Sequence, residues 1–204
     1  MAAPAANYAP YYNWSGYYAG VFAGGAHAVW TSDLARNDNH GHTEQGADGF
    51  AAGLYGGYNY QFANRFVVGA ELDLGHSGAS QSNNIYDNDT SLSKIGAFGS
   101  ARVRIGYAFD RLLLFGTVGV GVANITNDIQ KGRNAGEQFV WEDQVRAGFA
   151  AGGGVEYAFS DQWVGRAEYV YTDYGSVTLY NRDNNRADFK NELHLVRVGL
   201  SYRF

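Results

Sequence analysis

Read at alternate positions, much of the chain separates into one uncharged face and one polar face. From Phe50 one face runs Phe50, Ala52, Leu54, Gly56, Tyr58, Tyr60 and Phe62, and after Ala63-Asn64-Arg65 the next runs Phe66, Val68, Ala70, Leu72 and Leu74. The same period of two recurs over 95–109, 145–159, 163–171 and 196–204. No position on these faces is charged. The interleaved positions hold Glu71, Asp73, Lys94, Arg102, Arg104, Arg146, Glu156, Arg166, Glu168, Arg197 and Arg203. A period of two over such lengths is the signature of strands with one buried or apolar side. Two Gly-rich strands are expected over 15–29 and 112–126, the second with Leu114, Val118, Val120 and Val122 on one face, although the pattern does not fix their register. The total is eight.

The class depends on which face meets water. In a soluble barrel the apolar face points inward and fills a packed core. Here the apolar faces are bulky and the opposite faces are small, as in Gly49, Ala51, Gly53, Gly57, Gly148, Ala150, Gly152 and Gly154. Small interior residues leave room for charged side chains. A bulky uncharged exterior fits hydrocarbon, where an Arg or Lys at the midplane would cost roughly 2–4 kcal/mol. The pattern predicts an all-β fold, an eight-stranded antiparallel up-and-down transmembrane β-barrel of the bacterial outer-membrane type. An even strand count puts both termini on the periplasmic side. Short connections at 63–65, 110–111 and 160–162 read as periplasmic turns, and long polar ones near 31–47, 76–92, 127–143 and 175–191 as four extracellular loops.

Aromatics mark both ends of the strands. Tyr60, Phe62, Phe66, Tyr107, Phe109, Tyr157, Phe159, Trp163, Tyr202 and Phe204 lie towards the short turns, and Trp30, Trp141, Tyr171 and Tyr174 towards the long loops. Two girdles at the membrane interfaces are expected. Residues 1–13 read as a flexible N-terminal periplasmic tail and 14–204 as the barrel.

Composition narrows the picture further. At 204 residues one domain is expected. Mean hydropathy is −0.32, and no apolar run approaches the roughly 18 residues of a membrane helix. The absence of Cys excludes disulfides, thiol catalysis and thiolate metal sites. A net charge of −5 argues against a nucleic-acid partner. Met1-Ala2-Ala3-Pro4 has neither the basic nor the apolar stretch of a signal peptide, so an exported chain would be in its mature form.

Charge placement suggests the interior chemistry. Glu71 and Asp73 fall at about the height of Arg102 and Arg104 on the neighbouring strand, and Glu156, Arg166, Glu168 and Arg197 form a second set across the last three strands. Buried charges need partners, so interior salt-bridge networks are expected. They would serve as an ion path or as a polar plug, and the plug is favoured because barrels this small are filled by side chains. A glycosidase-like pair is rejected because flanking arginines hold both carboxylates ionised. Histidine is the other signal: His27, His40, His42 and His76 fall at or near the exterior end, with His40-Gly41-His42 on the first long loop. Such a cluster has the donor chemistry for a transition metal or haem iron. Solvated loop histidines are the simpler reading, and no metal site is firmly predicted. No nucleophile–base set is evident, so no enzyme is expected.

Three segments carry a family resemblance: Asn13-Trp14-Ser15-Gly16-Tyr17-Tyr18-Ala19-Gly20, the stretch 166–175 (RAEYVYTDYG) and the C-terminal stretch 195–204 (LVRVGLSYRF). Over 14–204 the chain resembles the small outer-membrane immunogenic proteins, porin-family β-barrels of alphaproteobacteria. The resemblance implies that Phe204, with Tyr202, Leu200, Val198 and Val196 before it, is the signal read by the barrel-assembly machinery. It also makes haemin a candidate ligand of the loop histidines, although the loops match no known pattern. The expectation is a structural, surface-exposed outer-membrane barrel with a filled or very narrow polar lumen, no catalysis and no required cofactor. Its partners would be membrane lipid, lipopolysaccharide and the assembly machinery. The alternatives are a haemin or metal receptor and a small passive pore. Oligomeric state is not legible.

Overall fold

The described residues form a ring of antiparallel strands that closes on itself. The computed structural model describes residues 11–36, 39–78, 80–86, 89–130, 144–180 and 186–204, with side chains over 11–29, 46–78, 96–124, 145–175 and 191–204. The strands are β1 (Gly16–Arg36), β2 (Asn39–Gln61), β3 (Phe66–Ser77), β4 (Ser80–Tyr86), β5 (Asp89–Phe109), β6 (Leu112–Gln130), β7 (Gln144–Ala158), β8 (Trp163–Tyr180) and β9 (Arg186–Arg203). β4 follows β3 along the same edge of β5, so the two are halves of one stave and the barrel has eight. β1 pairs with both β2 and β9, and β3 with both β2 and β5, which leaves no free edge in the ring.

The register fixes the shape. Stepping straight across the ladder from His27, the partners are His194, Tyr171, Ala151, Val118, Val103, Ala70, Tyr58 and then Tyr17. One circuit returns to β1 ten residues lower (27 − 17). Eight staves sheared by ten residues tilt the strands by about 40° and give a backbone radius of about 8 Å. Each residue then climbs about 2.5 Å along the axis. A cylinder that narrow has room inside for side chains and little else.

Burial alternates as the sequence pattern requires. Leu54, Leu72, Leu74, Val103, Ile105, Val118, Val120, Val196 and Val198 are exposed, and their chain neighbours point inward. A large exposed apolar belt on a ring of paired strands is a lipid-facing surface. By the same register Tyr17, Tyr58, Tyr60, Phe66, Tyr107, Phe109, Tyr157, Phe159, Trp163, Tyr202 and Phe204 form one level band. They touch in pairs such as Phe66–Tyr107 and Trp163–Tyr202, with ring centroids 5.3 and 5.4 Å apart. The turns beneath them are tight, with Arg65 and Asp110 at positive φ of 69° and 56°.

The structure differs from the sequence reading in three places. Where they are described, the long polar connections continue as paired strand: β1 and β2 stay in register to Arg36 and Asn39, and β5 and β6 to Thr90 and Gln130. His40 and His42 therefore lie in β2, not in an irregular loop. Once both faces of a hairpin meet water, alternation fades while the ladder continues, so the sequence gives no periodic sign of it. Tyr174, expected in the outer girdle, is turned inward and buried, within a register shift between Asp173 and Ser176 that also includes Gly175 at a φ of 76°. Trp30 and Trp141 have side chains outside the described residues. Lastly, residues 1–10 of the expected tail lie outside the described residues, but Tyr12 is buried beneath the barrel.

Candidate functional site in the lumen

Each stave contributes inward side chains in a vertical order. Along β5 these are Ala108, Arg104, Arg102 and Phe98 from the periplasmic end outward. Along β8 they are Val164, Arg166, Glu168, Val170, Thr172 and Tyr174. The result is three layers. Tyr12, Trp14, Val67, Ala108, Leu113, Phe115, Ala158 and Val164 pack at the bottom. A layer of charge lies in the middle. Above it Phe22, Phe98, Val170, Tyr174, Leu193 and Leu195 pack with alanines and the rings of Tyr18 and Tyr55.

All eight network residues singled out in the sequence are in the charged layer: Glu71, Asp73, Arg102, Arg104, Glu156, Arg166, Glu168 and Arg197, each buried. The expected two sets are joined. Arg102 donates to Glu71 at 2.9 Å, to Asp73 at 2.9 Å and to Glu168 at 2.7 Å. Arg166 donates to Glu71 at 2.6 Å and through Nε to Glu156 at 2.8 Å. Arg104 Nη2 lies 3.0 Å from Glu156 as an ion pair, and Arg197 donates through Nε to Glu168 at 2.9 Å. Four arginines face four carboxylates, so the layer is neutral as a whole. Tyr18 donates to Glu71 at 2.7 Å and accepts from Arg104 at 2.9 Å; Ser100 donates to Asp73 at 2.6 Å. Guanidinium faces are covered by rings from the adjoining layers: Arg166 on Tyr55 at 4.1 Å, Arg104 on Phe115 at 4.3 Å and Arg197 on Phe22 at 4.4 Å.

Tyr12 and Trp14 close the periplasmic mouth, a role the sequence did not signal. Trp14 is almost wholly buried; its indole N–H donates to the Asp110 carbonyl at 2.9 Å and its backbone N–H to Gln61 Oε1 at 2.6 Å. The Tyr12 backbone N–H donates to Asp110 Oδ1 at 2.9 Å and its hydroxyl to the Asp161 carbonyl at 3.2 Å. The segment thus spans the turns after β5 and β7 and the end of β2.

The candidate metal ligands do not converge. His27 faces outward from β1 and pairs with Asp48 at 2.6 Å. His76 faces outward from β3 across β2, level with Ala52, whose partner on β1 is Ala23, four residues from His27. The side chains of His40 and His42 lie outside the described residues. Among the described residues no group of three His, Asp or Glu side chains is placed to hold a metal ion. Phe204, Leu200, Val198 and Val196 are exposed on the outer face of β9, with Tyr202 partly so.

Comparison with known proteins agrees with this architecture. The family model described as outer membrane protein beta-barrel domain matches residues 1–204. The chain is 35% identical to the 31 kDa outer-membrane immunogenic protein of Brucella melitensis biotype 1, covering 100% of this chain and 89% of the relative. It is 31% identical to the 22 kDa outer membrane protein of Rhizobium leguminosarum bv. viciae, covering 93% of this chain and 80% of that protein. Among solved structures, the outer membrane protein OprG of Pseudomonas aeruginosa superposes with a TM-score of 0.61 at 15% identity, covering 94% of this chain and 97% of that one. This likeness is one of fold. Matched from end to end by that model, and by relatives across the same length, the chain belongs to the outer-membrane β-barrel family.

Proposed function

We propose that this outer-membrane barrel is a structural, surface-exposed protein whose lumen is sealed by its own side chains, so that it neither conducts ions nor turns over a substrate. The observation that supports this is the layered interior: a neutral charged layer in which each of the eight charged side chains has an ion-pair partner, held between two apolar layers in a cylinder of about 8 Å backbone radius. An ion entering it would have to displace an internal partner from a buried charge, which costs several kcal/mol. The outward face of β9 ending at Phe204 serves as the strand read by the assembly machinery, and the apolar belt sits in lipid beside outer-leaflet lipopolysaccharide. Reconstitution into planar bilayers tests the seal. No steady open level is expected, and a persistent ohmic unit conductance would overturn the reading.

A further inference from the structure

The segment that crosses the periplasmic mouth is held differently from the strands above it. An Asx turn, in which the Ser15 N–H donates to Asn13 Oδ1 at 2.9 Å, and Gly16 at a φ of 136° bend the chain between the mouth and β1. Its nearby anchor is the end of β2: the Trp14 N–H donates to the Gln61 side chain, and the Gln61 N–H donates back to Ser15 Oγ at 2.9 Å. The ties to the rest of the ring come from far along the chain. The Trp14 indole bonds a carbonyl 96 residues away, and the Tyr12 hydroxyl bonds one 149 residues away. From 188 residues away, Arg203 Nη2 donates to the Ser15 carbonyl at 2.8 Å. The same guanidinium lies over the Tyr12 and Trp14 rings, 4.8 and 5.9 Å from their centroids.

Arg203 stands at the foot of the β1–β9 seam, which joins the first strand to the last. There the Phe204 N–H donates to the Tyr17 carbonyl at 3.0 Å. Until that seam is paired, Arg203 and the turns holding Asp110 and Asp161 are not arrayed around one opening. The contacts of Tyr12 and Trp14 therefore have no complete partner surface with which to guide closure. Contacts that form only after the main barrier has been passed leave the folding rate alone and slow the reverse step. We infer that residues 11–15 are a latch that docks after the ring has closed, and that they set how slowly the barrel opens rather than how fast it forms. The latch gives kinetic stability and does not depend on whether the lumen conducts.

The test compares folding and unfolding rates of the full chain in lipid vesicles, read as the change in heat-modifiable gel migration with time in dilute and in concentrated urea. Trp14→Ala should fold within about twofold of the parent rate and unfold several hundredfold faster. Trp14→Phe is the milder probe, since it keeps an aromatic ring and loses only the N–H bond to the Asp110 carbonyl and some bulk. It should unfold about tenfold faster at an unchanged folding rate. Failure of the phenylalanine variant to fold, or folding slowed as much as unfolding is quickened, would place these contacts in the barrier itself and overturn the latch. An unfolding rate unmoved in both variants would overturn it as well.

Discussion

Arg102 is the residue on which the interior depends most. Its guanidinium joins Glu71 and Asp73 from β3 to Glu168 from β8, across the full width of the lumen. A buried ion pair adds little over an apolar pair of the same shape, but removing one partner strands the others. Arg102→Met is expected to lower unfolding stability by about 3–5 kcal/mol, read as the urea midpoint in lipid vesicles. Adding Glu168→Gln should return part of the loss, because it removes one stranded charge. A midpoint unmoved by Arg102→Met would mean the layer is not coupled. The charged members of the network were legible because charges on alternate positions of a membrane strand have only one place to go. The rings that cover them were not. Leu112-Leu113-Leu114-Phe115 is apolar on both faces, so periodicity gave no reason to turn Leu113 and Phe115 inward, where both are buried.

At the scale of elements, strands and short turns followed from alternation, and what escaped it was packing that alternation does not encode. The interior glycines are an example. Read as space for charged side chains, Gly53 and Gly148 also sit where the neighbouring backbone comes close: a Cβ there would fall 2.2 Å from the Leu74 and 2.0 Å from the Asp173 carbonyl oxygen. Close approach of this kind follows from a narrow, strongly twisted sheet. The segment before β1 is the other example. Nothing periodic marks Tyr12 and Trp14, yet Trp14 is tied to Asp110 and Gln61 and packs against Val67 and Leu113. Trp14→Ala is expected to cost about 3–5 kcal/mol, the range for emptying a buried aromatic site. It should not open a channel, because the charged layer above is untouched. An unchanged urea midpoint would show that this segment only rests against the mouth.

On the scale of the whole molecule, the chain inverts the soluble arrangement, with bulky apolar residues outside and charge within. Spread over alternate positions, that inversion keeps mean hydropathy at −0.32 while still presenting an unbroken apolar belt to lipid. Fold and location were therefore readable from the period and sign of the pattern, whereas the filling of the lumen depended on three-dimensional stacking of side chains from every stave. The lumen's density can be measured directly because the chain has no native Cys. Ser201 is a small, buried, inward residue of β9 at the level of the charged layer, so Ser201→Cys is a nearly isosteric probe. Treated with a water-soluble thiol reagent in the folded barrel, this cysteine should stay unmodified and react only after unfolding, while Asn64→Cys on the exposed periplasmic turn reacts at once. Modification of Cys at position 201 in the folded barrel at the rate seen for position 64 would mean that water fills the lumen, contradicting a barrel sealed by its own side chains.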